Sequence, residues 1–121
     1  MAVDRVNEYV LYLYEPLHPA MMRLLAEVSK AAHASKIPVT VCGEMAGEPM
    51  IAPVLIGLGI RELSMSAVSV PEVKAMVRAT TRSEAEALVQ RLKKLATAAE
   101  VRAMVSDYVF GLTTPQRKGR V

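Results

Sequence analysis

The sequence has no tryptophan, and four tyrosines and one phenylalanine are its whole aromatic complement, against eight methionines. Any core built here is therefore aliphatic and thioether, packs adaptably, and favours helices over a β-sandwich. The single cysteine, Cys42, excludes an intrachain disulfide and suits a reducing compartment. No apolar run reaches the ~18–20 residues that a membrane span requires. The longest, residues 50–60, is interrupted by Pro53. The opening Met1-Ala2-Val3-Asp4-Arg5 lacks the basic-then-apolar order of a secretory signal. These absences set the expectation of a cytoplasmic chain without a membrane partner. No Cys, His or carboxylate cluster shows metal-ligand spacing, so no metal site is expected within the chain itself. The glycines between positions 43 and 59 make neither a Walker nor a Rossmann fingerprint.

What remains is a chain of 121 residues, 52% apolar and 22% charged, with the balance of one globular unit rather than of a disordered segment. The formal net charge is +3, but Lys and Arg are scattered among acids except in Gln116-Arg117-Lys118-Gly119-Arg120. That tail is too short for a nucleic-acid partner and reads as a solvated chain end.

Residues 1–16 show no clean period and read as a loop leading into a short helix. His18-Pro19 starts a helix, since proline at the first helical position loses no hydrogen bond. Met21, Leu24, Leu25, Val28 and Ala32 follow at spacings of three and four, an apolar face running to about Ser35. Residues 37–42 are short, β-branched and bounded by Lys36 and Gly43, so they read as a strand. A loop over 43–47 then precedes an apolar helix over 48–58, and residues 60–66 form a second strand candidate. Downstream, Ser69 with Glu72, Ser83 with Glu86 and Thr97 with Glu100 read as three capping boxes, hence three helix starts. The last helix carries a stripe of Val101, Met104, Val105, Tyr108 and Val109.

Strand, helix, strand at this spacing is a βαβ unit with parallel strands and a right-handed crossover. Two parallel strands do not complete a sheet, so the pattern is that of a segment from a larger α/β fold. A small helix-rich α+β domain is the alternative. Cys42 stands at the C-terminal end of the first strand, where side chains line the active site in barrels of repeating βα units. By position alone it is either a reactive thiol beside a permissive glycine or a small buried hydrophobe. His18 and His33 read as a helix-start residue and a helix-surface residue, without a role.

The run Val41-Cys42-Gly43-Glu44-Met45-Ala46-Gly47-Glu48-Pro49, followed by Leu55-Ile56-Gly57-Leu58-Gly59-Ile60-Arg61-Glu62-Leu63-Ser64-Met65-Ser66, resembles the C-terminal signature of Enzyme I of the phosphoenolpyruvate:sugar phosphotransferase system. The opening Ala2-Val3-Asp4-Arg5-Val6-Asn7 is similar to the family's segment after barrel strand six, with Val6 where glycine is usual. The likeness runs on through Val70-Pro71-Glu72-Val73-Lys74 and covers about residues 2–80 well, leaving 81–121 as terminal helices and tail. Pyruvate phosphate dikinases and phosphoenolpyruvate synthases share Cys-Gly-Glu, but Glu-Leu-Ser-Met-Ser is closer to Enzyme I.

This resemblance implies that residues 1–121 are the C-terminal portion of a (β/α)8 TIM barrel, holding two of its eight parallel strands. The implied activity moves phosphoryl from phosphoenolpyruvate to a histidine, leaving pyruvate, with Cys42 protonating the enolate and Arg5 binding the substrate phosphate. A phosphocarrier protein is the implied partner and Mg²⁺ the implied cofactor. The phosphorylated histidine, the Mg²⁺ ligands and further arginines belong to family segments preceding this one, so the chain is expected to be inactive alone. It starts as if cut just after strand six. A reading from a different class is an association module: the barrel region also dimerises in the family, and unfilled sheet edges favour a homo-oligomer.

Overall fold

The computed structural model describes residues 7–114. A 3₁₀ turn, Leu11–Leu13, leads to α1 (Pro19–Ala34), β1 (Thr40–Cys42), α2 (Glu44–Gly47), α3 (Ala52–Gly57), β2 (Glu62–Ser64), α4 (Val70–Ala79), α5 (Arg82–Leu92) and α6 (Ala98–Thr113). The two strands pair in parallel, with Thr40 opposite Glu62, Val41 opposite Leu63 and Cys42 opposite Ser64. The α/β class and the parallel pair agree with the sequence reading. Both strands are shorter than the runs 37–42 and 60–66 read as strands, because a residue joins the ladder only where a partner backbone faces it.

His18 caps α1 with its own side chain, Nδ1 accepting from the Ala20 N–H at 3.1 Å, while Pro19 opens the first turn. The expected buried face of α1 is not the one observed. Met22, Leu25, Ala26 and Ser29 turn inward, whereas Leu24 and Val28 remain about half exposed, at 46% and 45%. The helix is rotated because Met22 and Leu25, not Leu24, meet the central cluster of Leu17, Leu55, Leu58 and Leu88.

That cluster is organised by α3. Ala52, Pro53, Val54 and Leu55 are all buried, so this short helix is apolar on every side and lies at the centre of the molecule. Its most extensive contact is with α5. The two backbones approach so closely at Gly57 that a Cβ there would overlap the Ala85 carbonyl. Residues 48–51, expected as the first turn of this helix, form a turn instead, and the expected loop over 43–47 contains the one-turn helix α2.

The three expected capping boxes fare differently. Thr97 and Glu100 form one at the start of α6 as read. The box of α5 uses Thr81 and Glu84 rather than Ser83 and Glu86; Ser83 is inside the helix, and Glu86 is bound at 2.7 Å by Arg82 one turn earlier. Ser69 does cap α4 in position, but its side chain makes no capping bond and no box forms. Ser69 has helical φ −79° and ψ −21° rather than the extended backbone of a boxed cap, and its hydroxyl stands 3.2 Å from that of Ser66 instead.

Candidate active site at the strand ends

The sheet has two unlike faces. Val41 and Leu63 point toward the helices and join the core. Thr40, Cys42, Glu62 and Ser64 share the opposite face, and all four are exposed. Strand alternation produces this split, since successive side chains leave opposite sides of the backbone. On the polar face Thr40 donates to Glu62 Oε2 at 2.8 Å, so the two strands are tied by side chains as well as by the ladder. Cys42 lies one step further along, at the C-terminal end of β1 beside Ser64. Its thiol is free and exposed, which removes the reading of Cys42 as a small buried hydrophobe.

Beyond Cys42 the chain turns sharply. Gly43 has φ +81° and ψ −152°, a conformation that a side chain would strain, and its N–H continues the ladder to the Ser64 carbonyl at 3.0 Å. The turn leads directly into α2, whose Gly47 N–H closes onto the Gly43 carbonyl at 3.1 Å. Gly47 lies against the start of α4, where a Cβ would meet Ser69 Oγ at 3.2 Å. The result is an open depression of about 500 Å³ at the strand ends, lined by Gly43, Glu44, Gly47, Glu48, Pro49, Ser66 and Ser69.

Ser64, Ser66 and Ser69 are the site residues that sequence reading passed over. Ser66 and Ser69 stand 3.2 Å apart through their hydroxyl oxygens. The alternation Ser64-Met65-Ser66 was the available signal, because it sends two hydroxyls to the side opposite Met65. Arg5, the expected phosphate ligand, lies outside the described residues, as does the basic tail. Among the described residues, no group of three or more His, Cys, Asp or Glu stands together to hold a metal ion, and no helix is long and apolar enough to cross a membrane.

Comparison with known proteins gives this geometry its family. The chain is similar to phosphoenolpyruvate-protein phosphotransferases of Staphylococcus carnosus, 43% identical over 108 residues, and Bacillus subtilis, 42% identical over 107. These matches take in 89% and 88% of this chain and 19% of each relative. It is also 45% identical over 109 residues to the Escherichia coli protein named phosphoenolpyruvate-dependent phosphotransferase system, covering 90% of this chain and 15% of that one. The chain thus spans less than a fifth of the length of these curated relatives. Residues 1–82, which hold both strands and the whole depression, match the family described as PEP-utilising enzyme, PEP-binding domain. The resemblance carried by the Cys42 run and the Leu63 run is therefore a family relation, and the chain belongs to the PEP-utilising enzymes through their PEP-binding domain.

Proposed function

We propose that this chain is the C-terminal part of the barrel of a phosphoenolpyruvate-protein phosphotransferase, with Cys42 as proton donor. The observation that carries the reading is the exposed thiol at the C-terminal end of a parallel strand, on the polar face, followed by a glycine at positive φ. In a (β/α)8 barrel that end is where chemistry occurs and the helix-free face points to the interior. Transfer of phosphoryl from phosphoenolpyruvate to a histidine nitrogen breaks the ester P–O bond and leaves the enolate of pyruvate. The enolate carbon takes the Cys42 proton to give pyruvate, and the thiolate regains a proton from water. A thiol suits this step because it can carry a proton to carbon and leave as a stable thiolate. Arg5 would bind the substrate phosphate through its planar fork.

Mg²⁺ would be held by carboxylates of the remaining barrel; the described residues do not make a site for it, and no step here runs through the ion. The phosphocarrier partner and a cytoplasmic setting follow from the same reading. A homo-oligomer is supported by the two-stranded sheet, in which β1 and β2 have no further strand partner among the described residues, and by the half-exposed Leu24 and Val28 on α1. Apolar side chains in and beside the strands contribute little to it, because Val39, Val41, Leu63 and Met65 are already packed against the core.

The test is complementation. Alone, the chain with phosphoenolpyruvate and Mg²⁺ should release no pyruvate. Mixed with the preceding part of a phosphoenolpyruvate-protein phosphotransferase, it should restore pyruvate release, which Cys42→Ala abolishes and Arg5→Lys weakens through a raised KM. Restored activity undiminished in Cys42→Ala would overturn the role given to the thiol.

A further inference from the structure

The opposite end of β2 holds a second hollow, of about 590 Å³, between α1, α3 and α5. Lys30 and His33 reach it from α1, Arg61 from the approach to β2, Arg82 from the start of α5 and Lys93 from its end. Glu27 is the single carboxylate on its wall. Arg82 gives Nε to Glu86 at 2.7 Å, which leaves its terminal nitrogens uncommitted by that pair. Four cationic side chains from separate parts of the chain therefore line one concavity, against Glu27 on its wall, Glu86 paired with Arg82, and Glu62 on the adjoining hollow. Such a set repels itself and is relieved by an anion placed at its centre.

The floor suits close approach. Gly59 has φ +87° and no side chain, and a Cβ there would stand 3.1 Å from Ser29 Oγ. Ser29 is nearly buried, at 9% exposure, and opens onto both this hollow and a smaller neighbouring one of about 140 Å³ that shares His33, Gly59 and Arg61. It supplies a neutral donor beneath the charged rim. Guanidinium forks at Arg61 and Arg82 match phosphate oxygens in pairs, and Lys30 and Lys93 add point charge.

We propose that this hollow binds a small anion carrying phosphate groups, at a site separate from the Cys42 end of the strands. The proposal does not depend on the catalytic reading. The test is titration of the full chain with inorganic pyrophosphate, followed by calorimetry and by amide chemical shifts. Binding should move the amides of Lys30, Gly57, Gly59 and Arg61, and weaken about tenfold in Arg61→Gln, the loss expected for one charge-assisted contact. Lys93→Gln should show a similar loss, while Lys74→Gln on α4 should bind as the parent chain does. Equal losses in all three variants would reduce the effect to diffuse attraction and overturn the site. Shifts confined to Gly43–Gly47, or no binding at millimolar pyrophosphate, would overturn it too.

Discussion

The two faces of the β1–β2 pair share one backbone ladder and differ in what covers them. Val41 and Leu63 are packed under helices and belong to the core, while Thr40, Cys42, Glu62 and Ser64 stand open a single residue away. The covered face holds the chain together, and the open face carries the candidate chemistry. This division follows from strand alternation, which turns Val41 and Leu63 to the core and leaves Thr40, Cys42, Glu62 and Ser64 on a face that no described helix covers. Among the described residues no core cluster includes the exposed Cys42 thiol, so the position is open to the proposed chemistry.

The comparison breaks most severely if the covered side is disturbed at its centre. Gly57→Ala would drive a methyl group into the Ala85 carbonyl at the α3–α5 contact, where backbone rather than a flexible side chain stands in the way. Overpacking of this kind costs about 1–3 kcal/mol and sometimes more. We expect a clear fall in the urea midpoint, read at fixed protein concentration. An unchanged midpoint would mean that α3 and α5 do not pack as closely as described.

The comparison is sharpened by paired substitutions within the ladder. Leu63→Ala removes a half-buried side chain from the core and should cost about 2 kcal/mol, at the low end for such truncations. Cys42→Ala, one register step away on the open face, should stay within about 0.5 kcal/mol. Equal losses for the two would show that the open face also carries packing, and that the thiol is structural.

Most of the order of elements was legible in the sequence, because Pro19 and Thr97 start helices and Gly43 and Gly59 supply the positive φ at which segments end. His18 was legible as a helix start from Pro19 after it, and the parallel pair from the strand, helix, strand spacing. The rotation of α1 was not. Its apolar residues at 21, 22, 24, 25 and 28 support two overlapping faces, and the true one includes Ser29, a polar residue that hydrophobic periodicity discounts. The α5 cap was ambiguous in a similar way, since Thr81-x-x-Glu84 and Ser83-x-x-Glu86 overlap; the Arg82–Glu86 pair decided between them. At the site, the place of Cys42 after a β-branched run left a reactive thiol and a buried hydrophobe both open, and the resemblance of the Cys42-Gly43-Glu44 run singled it out. Ser66 and Ser69 come together through a turn, the Ser69 N–H donating to the Ser66 carbonyl at 3.0 Å, a local feature that a reading for strands and helices passes over.

The smallest expected effect concerns the far, wholly helical side, where the sheet comparison should have no influence. Glu84 and Glu100 are held below the ordinary glutamate value of 4.5, first by the side-chain hydroxyls of Thr81 and Thr97 and then by the same residues' backbone N–H groups. A carboxylate whose folded pKa is depressed binds fewer protons folded than unfolded. Its contribution is complete above the unfolded value and is lost as pH falls through the lower folded one. The double substitution Glu84→Gln with Glu100→Gln keeps groups able to accept from the cap N–H but removes the titration. Both carboxylates are fully exposed, so water screens the effect and it should be slight. Urea midpoints of the parent chain and the double variant should differ most near pH 6 and converge below about pH 4.5, with Cys42→Ala following the parent throughout. Midpoints that stay parallel down to pH 3 would show that the capping boxes act through geometry alone.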